Sequence, residues 1–193
     1  MTGPGGVHLL PGSSGVRRLA SLTLTDLSRI GEALAPLASA WSEVVVDLPA
    51  GLSRSTLAFL AAARDVVVIT TPDLTAMADA YALIKTVSES GRTQALHLVV
   101  NRSRSATEAL EVHRRLDGMA ARFLSRRLCF AGFLLEDPAI GLSVSRRRPI
   151  VLEDPLRGST LAIRGIRSHL VEAAEEGRPG VGQFFRDLRR AAH

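Results

Sequence analysis

The chain has 193 residues, 46% of them hydrophobic, which is enough for one domain with a full core. A formal net charge of +5 and a pI near 10.8 permit contact with anionic lipid or nucleic acid without choosing between them. A single cysteine, Cys129, excludes a disulfide framework and a cysteine metal site and points to a reducing cytoplasm. Lying between Leu128 and Phe130, it is expected in the core rather than as a nucleophile. No stretch approaches the roughly 18 apolar residues of a membrane span, and Met1–Gly6 lacks the charged start and apolar run of a signal peptide. The expectation is a protein neither secreted nor integral to a membrane.

In chain order, Val7–Leu10 is the first strand candidate, followed by the small polar loop Pro11-Gly12-Ser13-Ser14-Gly15. That loop is not a P-loop, because the G-x-x-x-x-G-K-[ST] pattern needs a lysine at the phosphates. The only lysine, Lys85, falls on a predicted helix. Leu24 to Ala40 reads as a helix, with Thr25 as N-cap and Leu27, Ile30, Leu34 and Leu37 at helical spacing. Glu43-Val44-Val45-Val46 has no polar alternation and reads as a strand buried on both faces, which puts Asp47 at its carboxyl end. Two readings of Asp47 follow. It is either a magnesium-associated acid, with Gly51 letting backbone approach a phosphate, or a cap of the helix predicted from about Ser53 to Ala63.

Asp65–Thr70 repeats the buried-strand pattern and turns through Thr71-Pro72-Asp73 into a helix over Leu74 to Glu89. Ala95–Val100 is a strand ending in Asn101 and an Arg-Ser-Arg-Ser loop. A helix over Ala106 to Leu124 and a strand over Leu128 to Leu134 follow. This alternation predicts an α/β fold, a doubly wound, mostly parallel sheet with helices on both faces. Asp137-Pro138 opens a short helix closed by Arg146-Arg147-Arg148-Pro149, and a last domain helix spans Ser159 to Glu176. The predicted organisation is an α/β domain over residues 1–176, a linker at 177–180, and an amphipathic helix over 181–193.

In that terminal helix Val181, Phe184, Phe185 and Leu188 share one side, while Arg186, Arg189 and Arg190 lie largely on the other. Two adjacent phenylalanines in a tail suit the lipid interface, with the arginines at anionic headgroups; the alternative is a helix docked on its own domain. The five histidines show no ligand spacing and no Ser-His-acid set can be drawn, with His97 expected to face the core or a strand edge. Arginines at Arg102–Arg104 and Arg146–Arg148 raise nucleic-acid binding as a second reading, against that of a solvated face.

Five stretches, VHLLPGSSGVRRLA, VVVDLPAGLS, VVVITTPDLTAMADAYALIK, LVVNRSRSATEA and LLEDPAIGLSVSRRRPIVLEDP, together resemble the MinD/ParA family of deviant-Walker ATPases. The resemblance is greatest to its flagellar FlhG/FleN branch, a group of SIMIBI P-loop NTPase-like proteins. It covers most of the chain, in the same order and at similar spacing. It implies that Asp47 matches the switch II acid that contacts magnesium-bound water and Gly51 the mobile glycine after it. Asn101 matches the adenine-recognising amide, and Asp137 and Pro138 the loop closing over the base. It further implies ATP and magnesium as cofactors and a homodimer in the intact family. The implied partners are a flagellar SRP-type GTPase and flagellar regulatory or basal-body proteins, with reversible attachment to the inner membrane through the Phe184, Phe185 and Leu188 side of the tail.

The departure from the family lies at the K-G-G-x-G-K-T loop and the switch I aspartate, which no stretch of this sequence matches. Without them there is no phosphate cradle and no group to position the attacking water. The expectation is a regulator of flagellar number and placement in which this polypeptide by itself does not hydrolyse ATP. A ParA-type partition or nucleic-acid-associated protein is the alternative.

Overall fold

The computed structural model describes residues 1–11, 23–90, 94–174 and 181–190. Helices α1 (Leu24–Leu34) and α2 (Arg54–Ala62) precede strand β1 (Asp65–Thr70), helix α3 (Leu74–Glu89), strand β2 (Ala95–Ser103) and helix α4 (Ala106–Leu124). Strand β3 (Cys129–Leu135) and helices α5 (Pro138–Ser145), α6 (Ile150–Glu153), α7 (Gly158–Ala174) and α8 (Val181–Arg190) complete the order. The chain divides into two compact units, Met1–Ala62 with Val181–His193, and Ala63–Gly180.

The first unit is helical. Helix α1 begins with a capping box in which Thr23 Oγ1 accepts from Asp26 N at 3.2 Å and Asp26 Oδ2 accepts from Thr23 N at 3.0 Å. The cap is therefore Thr23, two residues before the expected Thr25, and the reciprocal bonds satisfy two otherwise orphaned donors. The helix ends at Leu34 in a 3-10 turn over Ala35–Ala40, short of the predicted Ala40, because Pro36 has no N–H to continue the α pattern. Leu27, Ala58, Ala62 and Leu188 form a buried cluster, with Ile30, Phe59 and Phe184 packed against it. Gly31 allows the close approach of α8, since a Cβ there would sit 3.0 Å from the Phe185 carbonyl oxygen.

Two predicted strands of this unit do not form. Val7–Leu10 is exposed and holds only the isolated antiparallel bridge Thr2 to His8, which closes a turn over Pro4–Gly6. Val44–Val46 has no ladder either, and Val45 is 91% exposed. A β-branched run favours an extended backbone, but a strand exists only through hydrogen bonds to a neighbour, and local sequence does not report the neighbour.

The second unit carries a parallel three-stranded sheet in the order β1-β2-β3, against the five strands expected. Strand β2 is central, and its residues Leu96 to Val100 are all buried. On one face Val66 and Val68 of β1 sit in register beside Leu96 and Leu98. On the alternate face His97 meets His169 of α7, and Gly132 of β3 lies against Ile166. That face stays open over β1, where Val67 is 39% and Ile69 64% exposed.

Helix α4 ends at Ser125 in the left-handed region, and Asp117 then accepts from Leu128 N at 2.9 Å, which fixes the turn into β3. Cys129 is exposed rather than in the core, because it is the first residue of β3, where the strand is not yet covered; Ala131, at the register shift between Leu98 and Val99, is buried. Helix α6 was not expected, and the linker at 177–180 and the Gly12–Gly15 loop lie outside the described residues. No described helix is long and apolar enough to cross a membrane.

Gly132 has φ +145°, and a Cβ built on it would lie 2.8 Å from Ile166 Cγ1. Gly132→Ala is expected to destabilise by about 2–3 kcal/mol, from the clash and the strained backbone together. Urea unfolding checks this, and in an Ile166→Ala background, which removes the clashing Cγ1, the Gly132→Ala step should cost less.

Candidate functional site at the carboxyl end of the sheet

Parallel α/β sheets bind ligands outside the carboxyl ends of their strands, and the second unit has a cleft there. Pro72, Asp73, Arg102, Arg104, Glu108 and Glu136 line a space of about 240 Å³. Beyond β1, the Thr71 hydroxyl donates to Asp73 Oδ2 at 2.6 Å and steadies the entry to α3. Beyond Val100 the β2–β3 register shifts and resumes at Ser103 opposite Leu135, so Asn101 and Arg102 occupy an irregularity of the ladder. Arg102 has φ +55°, a left-handed conformation uncommon for a side chain of this kind. Its N–H donates to Asn101 Oδ1 at 2.9 Å, and its Nη2 lies 3.0 Å from Glu136 Oε1. Arg104 N donates to Glu108 Oε2 at 2.6 Å, and Ser105 caps α4.

Asp137 is fully engaged. As the N-cap of α5 it accepts from Ala139 N at 2.9 Å, while Arg157 donates through Nε at 2.6 Å and Nη2 at 2.8 Å and the Ser159 hydroxyl donates at 2.9 Å. Pro138 fits the first position of that helix, where a missing N–H costs nothing. The Arg157 hydrogen bond, followed by the bond from the Ala139 N–H, holds the Asp137 carboxyl far below the usual carboxylate range. Asp137 thus clamps the start of α5 to the start of α7, which sequence alone did not suggest, since Arg157 is twenty residues away.

Asp47 and Gly51 belong to the first unit. Asp47 is exposed and has no partner among the described residues, and the cap of α2 is Ser53, whose Oγ accepts from Thr56 N at 3.1 Å. Gly51 has φ +102°, a conformation open to glycine. Lys85 lies within α3, 3.7 Å from Glu89, so it is not part of a phosphate loop. Among the described residues, no group of three or more His, Cys, Asp or Glu is placed to hold a metal ion. A magnesium-bound triphosphate requires a lysine-bearing backbone cradle, and these residues do not fit it. None of Asn101, Asp137 and Pro138 is among the residues that line the cleft at Arg102 and Glu136.

Sequence reasoning also missed a buried polar chain. His97, 1% exposed, lies with Nε2 3.2 Å from Asp65 Oδ1 and Nδ1 3.2 Å from His169 Nε2. Burial pushes the Asp65 carboxyl up, but hydrogen bonds from His97 and Arg64 outweigh it and hold the pKa below the usual value. The chain fastens α7 to the sheet; separations of 32 and 72 residues left no local signal.

Three comparisons bear on identity. The chain is 26% identical to the antiactivator FleN of Pseudomonas aeruginosa over 166 residues, 86% of this chain and 59% of that protein. It is 31% identical to the flagellum site-determining protein YlxH of Helicobacter pylori over 190 residues, 95% of this chain and 64% of that protein. It is 28% identical to the septum site-determining protein MinD of a Synechocystis species over 131 residues, 66% of this chain and 46% of that protein. These matches support the MinD/ParA family for this chain. It spans less than two thirds of the length of these relatives. No family model matches it. The parallel α/β architecture is that expected of a MinD/ParA protein.

The Asp137 clamp has a pH signature. A carboxyl whose folded pKa is depressed contributes stability above its unfolded pKa and loses it as pH falls toward the folded value. Wild type should therefore weaken as pH drops below about 4, and Asp137→Asn should start less stable at neutral pH and show a shallower acid limb. Urea midpoints at about pH 7 and about pH 3 check both slopes.

Proposed function

We propose that this chain is a MinD/ParA-type regulator of flagellar number and placement, acting through protein contacts and reversible attachment to the inner membrane surface. The observation that supports it most is α8 on a chain of this family. Its apolar residues Phe185 and Leu188 are 3% and 0% exposed, while Arg186, Arg189 and Arg190 are exposed. Of the two readings of the tail, the docked helix is the one the structure holds: Leu188 joins Leu27, Ala58 and Ala62 in a buried cluster with Phe184 packed against it, and Phe185 is buried. In the proposed attached state these apolar side chains exchange that cluster for lipid, and the three arginines meet anionic headgroups. Homodimerisation and contacts with a flagellar SRP-type GTPase or with flagellar regulatory and basal-body proteins complete the reading.

ATP and magnesium enter the proposal at the level of the family. Asn101, with the loop at Asp137 and Pro138, is proposed to face a purine base, and Asp47 with Gly51 remains the proposed magnesium-water and switch element. With no lysine-bearing loop, the polypeptide alone is expected to release no phosphate from Mg-ATP above background. Magnesium-dependent turnover by the purified chain would overturn that part.

Attachment is tested by sedimentation with phosphatidylglycerol vesicles. Binding is expected for wild type and its loss for the triple variant Arg186→Gln, Arg189→Gln, Arg190→Gln, which removes the positive charge without adding carboxylates beside Asp187; circular dichroism checks that the chain stays folded. Salt-dependent binding to nonspecific duplex DNA without vesicle binding would replace this reading with the partition-type one.

A further inference from the structure

We propose that the contact between His97 and His169 is a proton switch in the second unit: the pair holds helix α7 on the sheet with no added proton or one, and releases it with two. The switch uses groups to which the flagellar reading gives no role, and it stands or falls independently of that reading.

The chemistry follows from which atoms meet. His97 Nε2 lies 3.2 Å from Asp65 Oδ1, and Arg64 donates to the other oxygen of that carboxyl. Burial pushes the Asp65 carboxyl up, but the bonds from His97 and Arg64 outweigh it and keep it below its usual range. Asp65 is therefore an ionised, acceptor-only group near neutral pH, and His97 must carry a proton on Nε2. That leaves His97 Nδ1 to face His169 Nε2 at 3.2 Å. With both rings neutral, His169 Nε2–H donates to a bare His97 Nδ1. A first added proton still leaves one of the two facing nitrogens bare, so a donor meets an acceptor. A second sets N–H against N–H and puts two cations on rings whose centroids are 5.3 Å apart.

Burial makes that conflict decisive. His97 is 1% exposed, so water neither screens the repulsion nor replaces the lost bond. The surroundings add little to offset it. Strand β1 supplies the one carboxylate, Asp65; β3 places Cys129 opposite His97 in register; and on α7 the charged residues nearest His169 in sequence, Arg167 and Glu172, are exposed. The released form binds one proton more than the docked form, so docking weakens as pH falls and returns as it rises. Release is confined to the carboxyl-terminal half of α7, because Ser159 at its start is held by Asp137, whose carboxyl stays ionised through the imidazole range. His113 of α4 is an internal control. Its Nε2 lies 2.9 Å from the Leu128 carbonyl oxygen, an acceptor that suits either charge state of the ring.

The experiment uses the full chain, isotopically labelled, and follows amide exchange along α7 from about pH 8 to about pH 5, the range in which imidazoles titrate. Each rate is divided by the intrinsic rate at its own pH. Protection between Ile166 and Leu170 should fall by roughly tenfold or more in wild type. In His169→Gln, whose amide donates or accepts but takes up no proton, it should hold to within about twofold. Imidazole nitrogen spectra of wild type decide the matter should that variant fail to fold. His97 Nε2 should stay protonated at every pH, and protection should drop as the pair takes up its second proton. Wild-type protection that stays flat, an equal fall in His169→Gln, or a bare His97 Nε2 at about pH 8 would each overturn the switch.

Discussion

Strand β2 is hydrogen-bonded on both edges and covered along the run from Leu96 to Val100, and the rest of the second unit hangs on that constraint. A strand paired on both sides must satisfy every backbone group in its ladders, so its register with β1 and β3 is fixed wherever its side chains are buried. The amino-terminal part of β2 places His97 between Asp65 and His169, which ties α7 to the sheet. The carboxyl-terminal part leaves the regular ladder at Asn101 and Arg102, just past the last buried valine, where the packing constraint lapses. The irregularity lies where the core stops dictating the backbone.

That division also explains which features were legible beforehand. Strand β1 and helices α3 and α4 have the predicted bounds, because Asp65–Thr70, Leu74–Glu89 and Ala106–Leu124 carry their period within the segment and bury it against adjacent elements. Val44–Val46 carries an equally strong β signal, yet it pairs with nothing described. Propensity is local, whereas pairing is not. The same gap separates Asn101, findable from its motif, from Arg102, whose φ and pairing with Glu136 emerge only when two distant strand ends meet. Asp137 was recognisable as a loop acid, but its commitment to Arg157 and Ser159 depends on where α7 begins.

Under the proposed attachment, the one apolar stripe of helix α8 would serve two environments. Leu188 and Phe184 already pack against Leu27, Ala58 and Ala62 in the first unit, so moving them into lipid exchanges one burial for another and the net hydrophobic gain is small. What would tip the exchange is charge. Each arginine near an anionic surface contributes on the order of 1 kcal/mol, screened by salt, and Arg186, Arg189 and Arg190 are exposed while α8 is docked. In the proposed cycle the arginines carry selectivity for the membrane and the phenylalanines carry affinity for either environment.

The phosphates and the base of a nucleotide make different demands on a protein. Phosphates bind through charge-assisted bonds to backbone N–H groups and lysine, which are strong and give little information about the base. A base alone is held by a few neutral hydrogen bonds, each worth about 1 kcal/mol net, so its affinity is low and its selectivity depends on keeping those groups in place. A flexible amide on such a site would discriminate poorly. At the carboxyl end of the sheet two places are held rigidly: Arg102 in an uncommon backbone conformation, and Asp137, saturated by Arg157, Ser159 and Ala139. Asp137 is consequently better suited to hold α5 against α7 than to reach for a ligand, because a carboxylate that left those donors would strand Arg157 beside a helix N-terminus, where a cation is disfavoured.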